Sequence, residues 1–110
     1  HVSLLTQLFQ NLIDNAIKHS KKNKRPKIRV LVHYLENSKF CQFEIRDNGQ
    51  GIAEDVQPFI FELFNVVHQK ESSGIGLATC KKIVGHYNGK IWVESEPNIG
   101  TSIFFTLPLV

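Results

Sequence analysis

At 110 residues the chain has room for one compact domain with its own core, and a 42% hydrophobic content separates it from disordered chains. No stretch approaches the roughly 20 apolar residues of a membrane-spanning helix, and His1-Val2-Ser3-Leu4-Leu5 lacks the basic start and apolar run of a signal peptide. The net charge of +3 is unevenly spread. Lys18, Lys21, Lys22, Lys24, Arg25, Lys27 and Arg29 crowd one segment, without the interleaved aromatics, zinc spacing or recognition helix of a nucleic-acid module. The expectation is a solvated loop, part of which can face an anionic ligand.

The chain opens inside a helical pattern and reads as one domain, 1–110, cut from a longer protein. Leu5, Leu8, Phe9, Leu12, Ile13, Ala16 and Ile17 recur at helical spacing, which predicts an amphipathic helix from Ser3 to about Ser20. Ile28, Val30, Val32 and Tyr34 alternate within 27–36, and Phe40 to Asp47 alternates again, so the two runs form a hairpin across the Asn37-Ser38 turn. A short helical piece is expected over 54–64 and a mobile loop over 65–73. Leu77, Cys80, Ile83, Val84 and Tyr87 predict a second helix, capped by Gly89. Strands at 91–95 and 102–107 flank the turn Pro97-Asn98-Ile99-Gly100. Paired strands between helices predict a two-layer α/β sandwich, a mixed sheet under about three helices. Cys41 and Cys80 form no CxxC pair and read as small buried hydrophobes, as in a reducing compartment.

Asp47 shares a strand face with Cys41, Phe43 and Ile45, and no basic residue of its own strand joins that face. An inward carboxylate is costly unless paired, so it is either an acceptor for a ligand amine or the cap of its own turn. Gly49 and Gly51 permit positive φ or close backbone approach. With Glu54 at the third position they are not a dinucleotide fingerprint, and no P-loop is present. Asn11 and Asn15 share a helix face continued by Lys18 and His19. Their amide oxygens suit Mg²⁺ and the lysine suits a phosphate; the alternative is a polar face in water. Ser72-Ser73-Gly74-Ile75-Gly76-Leu77 opens a helix, where unpaired N–H groups favour anions or a serine caps the turn. Thr101 has the inward parity of Ile103, Phe105 and Leu107.

In order and spacing, Asn-x-x-x-Asn-Ala-x-Lys-His, Asp-x-Gly-x-Gly-Ile, Ile60-Phe61-Glu62-Leu63-Phe64, Gly-Ile-Gly-Leu-Ala and Gly-Thr-Ser together resemble the histidine-kinase branch of the ATPase superfamily shared with gyrase, Hsp90 and MutL. The resemblance covers nearly the whole chain. It implies the Bergerat ATP-binding fold and an ATP pocket between sheet and helices. Asp47 then accepts from the adenine amine, Thr101 supports the same ring edge, and Gly49, Gly51 and Ile52 line it. Asn11 and Asn15 hold Mg²⁺, Lys18 contacts phosphate and His19 lies near the nucleotide. Phe61 and Phe64 form an aromatic box under a lid that carries Lys70, and Gly74, Ile75, Gly76 and Leu77 sit under the phosphates.

By the same resemblance the chain is the catalytic part of a protein histidine kinase in two-component signalling. Asn11 and Lys18 serve catalysis, and the phosphate goes to a dimerisation domain of the same protein and onward to a response regulator. The superfamily's ATP hydrolases carry a glutamate where this chain has Asn11, which favours phosphoryl transfer over hydrolysis. His1, His33 and His86 are poorly placed as phosphoacceptors, so the fragment alone is expected to be inactive. The domain is expected in the cytoplasm, with any membrane anchor elsewhere in the full-length chain. Two features depart from the family: Ser72 replaces a glycine, and the lid is short. They keep open a degenerate nucleotide-binding module that acts through protein contacts. An anti-sigma-type serine kinase is a further alternative.

Overall fold

The computed structural model describes residues 2–36, 38–62 and 74–109. Helix α1 (Val2–Lys18) leads into the hairpin β1 (Ile28–Tyr34) and β2 (Phe40–Asp47). Helix α2 (Gly74–His86) leads into the hairpin β3 (Ile91–Glu96) and β4 (Gly100–Pro108). The sheet order is β1-β2-β4-β3, so each hairpin supplies one central strand. The expected two-layer sandwich is observed. Its sheet is antiparallel rather than mixed at all three pairings among the described residues. Among the described residues two α-helices cover it, where about three are expected.

The core is the seam between layers. Leu8 and Leu12 of α1 and Cys80, Ile83 and Val84 of α2 bury themselves against Ile45, Ile103, Phe105 and Leu107. Phe105 is fully buried, stacks on Phe43 with ring centroids 5.2 Å apart and meets the edge of Phe9 at 5.4 Å. Both cysteines are free and buried. Burial pushes the Cys80 thiol up to about 12, against a contact from Asn11 that works the other way, so the group is inert as the sequence implies. The edge strand is covered less than its alternation predicts. Val30, Val32 and Tyr34 share the helix-facing side of β1, yet Tyr34 is 78% exposed. Ile17, included in the apolar stripe of α1, is also exposed.

Two local expectations change. In the 54–64 piece, the described residues hold only a single 3-10 turn, Gln57–Phe59, with Pro58 in its first turn; an α-helix begun at 54 would need the N–H that Pro58 lacks. Helix α2 is not ended by Gly89 in the left-handed position. Asn88 takes it, at φ 62°, and the Asn88 and Gly89 N–H groups bond Gly85 O at 2.9 Å and Val84 O at 3.0 Å. Glycine is required at 89 for another reason: a Cβ there would lie 1.9 Å from Thr106 O.

On the open face of the sheet, Glu44 is buried beneath three partners. Arg46 Nε donates at 2.8 Å, Ser102 Oγ donates at 2.7 Å, and His33 Nε2 stands 3.4 Å away. His33 is therefore a partner of this carboxylate. Burial pushes the Glu44 carboxyl up, but these bonds outweigh it and hold it below the ordinary glutamate range. A depressed carboxylate stabilises the fold above its unfolded pKa, and that contribution is lost as acid protonates it. Denaturant titrations across the acid range should show this loss, and Glu44→Gln should remove part of the slope. Truncating Phe105 to Ala should cost about 3–5 kcal/mol by the same titration at neutral pH; a cost below about 1 kcal/mol would contradict the packing described.

Candidate nucleotide site

The last two turns of α1 carry Asn11, Asp14, Asn15 and Lys18 at spacings of three and four, a single stripe. These four side chains, with Ile17, line a cavity of about 290 Å³ that Gly76 and Leu77 close from the start of α2. The asparagines and lysine expected to act together do stand together, beside the second glycine segment. Asp14 was not singled out from the sequence; its spacing of three from Asn11 and four from Lys18 is the signal that finds it. The Asn11 amide also reaches the Cys80 thiol, which ties the helix face to the core.

A second cluster stands at the ends of β2 and β4. Register places Asp47 opposite Thr101. Asp47 Oδ1 accepts from Gly49 N at 2.8 Å and from Thr101 N at 3.2 Å. The carboxylate therefore does cap its own turn. Both of these bonds fall on Oδ1, so Oδ2 keeps acceptor capacity. Burial raises the Asp47 carboxyl above the usual aspartate range, and the two N–H donors and nearby His19 pull the other way without cancelling it. His19, on the segment after α1, is thus the basic neighbour that strand β2 itself does not supply.

Thr101 is buried, and its hydroxyl is 2.7 Å from Ser95 Oγ. Ser95 Oγ also accepts from Ile52 N at 2.8 Å and donates to Gly100 O at 3.0 Å. Gln57 Nε2 donates to Ile52 O at 2.9 Å and Ser95 O at 3.1 Å. Ser95 and Gln57 thereby fix the loop after Asp47 to β3. Neither is visible as functional in sequence, because their partners are backbone atoms more than 35 residues away or on a loop of irregular course.

The two glycines after Asp47 are required by protein backbone. Gly51 has φ 75°, and a Cβ there would lie 2.2 Å from Glu96 O; at Gly49 it would lie 2.4 Å from His19 O. Gln50 N donates to His19 O at 2.9 Å, so the Asp47 loop is docked on the end of α1. Lys18 belongs to the first cluster and His19 to the second, which makes the end of α1 the joint between them. Asp47 and Thr101 also line a cavity of about 350 Å³ at the strand ends, which does not extend to Asn11 or Asn15. Phe61, expected beneath a lid, packs against the core cluster. Gly74 and Ile75 begin α2. Phe64, Lys70, Ser72 and the loop over 65–73 lie outside the described residues.

Two α-helices on a four-stranded antiparallel sheet, as found among the described residues, match the fold class of histidine kinase catalytic domains. The sequence matches that class along residues 1–110: the chain belongs to the histidine kinase-, DNA gyrase B- and HSP90-like ATPase family, as a catalytic domain of the histidine-kinase type. It is 42% identical over 108 residues to cyanobacterial phytochrome A of Nostoc, across 96% of this chain and 14% of that protein. It is 40% identical over 109 residues to the sensor protein kinase WalK of Staphylococcus aureus, across 94% of this chain and 26% of WalK. The chain therefore spans a minor part of these relatives. Among solved structures, the mycobacterial sensor histidine kinase MprB matches with TM-score 0.82 and 27% identity over 98% of this chain and 74% of that one. Full-length ShkA in complex with AMPPNP matches with TM-score 0.81 and 26% identity over 96% of this chain and 21% of that one.

A carboxylate whose pKa is raised by folding costs stability at neutral pH, and the cost vanishes once it is protonated in both states. Asp47→Asn keeps an oxygen to accept from Gly49 and Thr101. The nucleotide-free variant should therefore be at least as stable as the parent near neutral pH, with the difference closing toward acid. Denaturant midpoints at several pH values measure this. A variant that is markedly less stable at neutral pH would mean that the negative charge is structural.

Proposed function

We propose that this chain binds Mg-ATP and donates the γ-phosphate to a histidine on a separate dimerisation domain of the same protein, from which a response regulator receives it. The observation that carries the reading is the joining of two clusters at the end of α1. One is an inward acceptor with a spare oxygen, Asp47, beside Thr101. The other is a cavity with two amides, one ammonium and one carboxylate. A purely anion-binding site would not include Asp14. A phosphate together with a cation suits that mixture.

In this reading Asp47 Oδ2 accepts from the adenine amine, with Thr101, Gly49, Gly51 and Ile52 around the ring and His19 near the nucleotide. Asn11 and Asn15 would hold Mg²⁺ through hard amide oxygens, and Lys18 with the backbone of Gly74, Ile75, Gly76 and Leu77 would face phosphate. The ion's contribution is to neutralise phosphate charge. Phosphoryl transfer breaks the bond from the γ-phosphorus to its bridging oxygen and forms one to an imidazole nitrogen, and it is driven by positioning and electrostatics. Asn11 cannot accept a proton from water, so hydrolysis has no base at that position. Phe61, Phe64 and Lys70 complete the reading as lid residues. Among the described residues no helix is long and apolar enough to cross a membrane; the reading places the domain on the cytoplasmic side.

Calorimetry on the parent should detect ATP binding that magnesium strengthens. Asp47→Asn should weaken it by about 1.5–3 kcal/mol, the worth of a buried hydrogen bond to a charged group; affinity within twofold of the parent would overturn the adenine assignment. Asn15→Ala should abolish the magnesium enhancement and spare metal-free binding. With Mg-ATP the chain alone should neither label itself nor turn over, whereas fusion to a matching dimerisation domain should yield an acid-labile, histidine-linked phosphate. Robust multiple-turnover hydrolysis by the chain alone would sink the phosphotransfer reading.

A further inference from the structure

Seven of the 13 Lys and Arg residues fall within 18–29, and none of the ten Asp and Glu residues lies between Asp14 and Glu36. The rest of the chain, with six basic and ten acidic residues, is net acidic. This is a polarised molecule, not a uniformly basic one. The basic segment is also held in place. Asn48 Nδ2 donates to Arg25 O at 3.2 Å, while Asn48 Oδ1 accepts from Lys27 N at 2.8 Å. Gln50 N donates to His19 O at 2.9 Å and Gln50 Nε2 to Ser20 O at 3.4 Å. Lys21 Nζ donates to Asn98 O, and Asn98 N in turn donates to Gln50 O at 2.6 Å.

Every one of these anchors is a residue of the loop that follows Asp47 or of the turn that precedes Thr101. These hydrogen bonds set the basic segment against the loop that follows Asp47 and the turn that precedes Thr101. The side chains of Lys22, Lys24 and Arg25 remain exposed. They contribute no hydrogen bond to the fold among those described, so their charge is free to act outward.

We propose that Lys22, Lys24 and Arg25 steer the polyphosphate of a nucleoside triphosphate toward the site, raising its association rate without touching the bound nucleotide. The inference rests on the reading of this site as an ATP pocket. Like charges gathered at a site entrance raise the local concentration of an oppositely charged ligand and its association rate, and salt removes the effect. Range permits this at low ionic strength, where the screening length reaches about 30 Å at 0.01 M, and not at 1 M, where it is about 3 Å. Because the attraction scales with ligand charge, the device also discriminates: triphosphate gains more than diphosphate, and an uncharged nucleoside gains nothing. The loop would act as an entry filter, distinct from the contacts of Lys18.

The test is stopped-flow binding of fluorescent analogues of ATP, ADP and adenosine to the parent and to the triple variant K22E/K24E/R25E, in low and high salt. At low salt the association rate for the ATP analogue should fall about tenfold in the variant, the lower end of measured steering effects. The ADP analogue should lose less, adenosine should be unchanged, dissociation rates should match the parent, and the difference should disappear in high salt. An unchanged ATP association rate, a loss carried by faster dissociation, or an equal loss for adenosine would each overturn the proposal. Adenosine binding doubles as the check that the variant is folded. If the parent itself fails to bind ATP, the functional reading fails, and that outcome is seen before any variant is compared.

Discussion

The pairing of β2 with β4 is the constraint on which the remaining features depend. These central strands are antiparallel, and alternate residues face the helices, so Cys41, Phe43 and Ile45 oppose Leu107, Phe105 and Ile103 within the core. Continuing the same register two residues further puts Asp47 opposite Thr101. A slip of one residue in β4 would turn Phe105 to solvent, and one in β2 would turn Glu44 into the seam. The core thus selects the register, and the register places two polar side chains side by side at the end of an apolar stripe. Its two backbone hydrogen bonds do not cancel its desolvation; the apolar packing of Ile45 and Phe43, two and four residues earlier, holds it there.

That arrangement explains how the helices meet the sheet end. Helix α1 is bound to the core by Leu8 and Leu12, which leaves Asn11 and Asn15 turned toward the start of α2. The carbonyl of His19, just past the helix end, receives the Gln50 N–H, and Gly49 must lack a side chain for that contact to close. One helix therefore supplies the amides of one cluster and the docking point of the other. The distance between clusters is set by helix geometry rather than by a flexible linker, as suits a site in which positioning is the main contribution to chemistry.

Much of this was legible in the sequence because it follows from periodicity. The helices α1 and α2, the two strand hairpins and the inward parity of Asp47 and Thr101 all appear in the structure. What was not legible depends on contacts far apart in the chain or on backbone needs. Ser95 and Gln57 act through hydrogen bonds to Ile52, and Gln57 also through one to Ser95 O, which no local pattern marks. Gly89 looked like the helix terminator, yet Asn88 adopts the left-handed conformation and Gly89 makes room for Thr106 O. The exposure of Val30 and Val32 was hidden for a similar reason: alternation reports which face a residue shares, not whether a helix covers that face. The aromatic pattern Phe61-x-x-Phe64 is only half placed, with Phe61 on the core.

The buried Glu44 and the inward Asp47 differ in how the fold partners them. Glu44 is surrounded by Arg46, Ser102 and His33, and its carboxyl is held below its ordinary range, the signature of a charge whose partners repay its burial. Asp47 receives two backbone N–H groups on one oxygen and remains above its ordinary range. Its environment was not completed by the fold. A chain free to vary could replace Asp47 by asparagine and retain both backbone bonds while avoiding the cost of burying a charge. Perturbed groups of this kind concentrate where a ligand supplies the missing partner. The cavity beside Asp47 is also lined by Arg46, Glu94 and Glu96, whereas the loop side offers Gly49, Gly51 and Thr101; in the proposed reading the partner for Asp47 Oδ2 is a neutral donor held against that loop. The ligand amine proposed for Asp47 is such a donor, and its binding would offset the burial that raises this carboxyl.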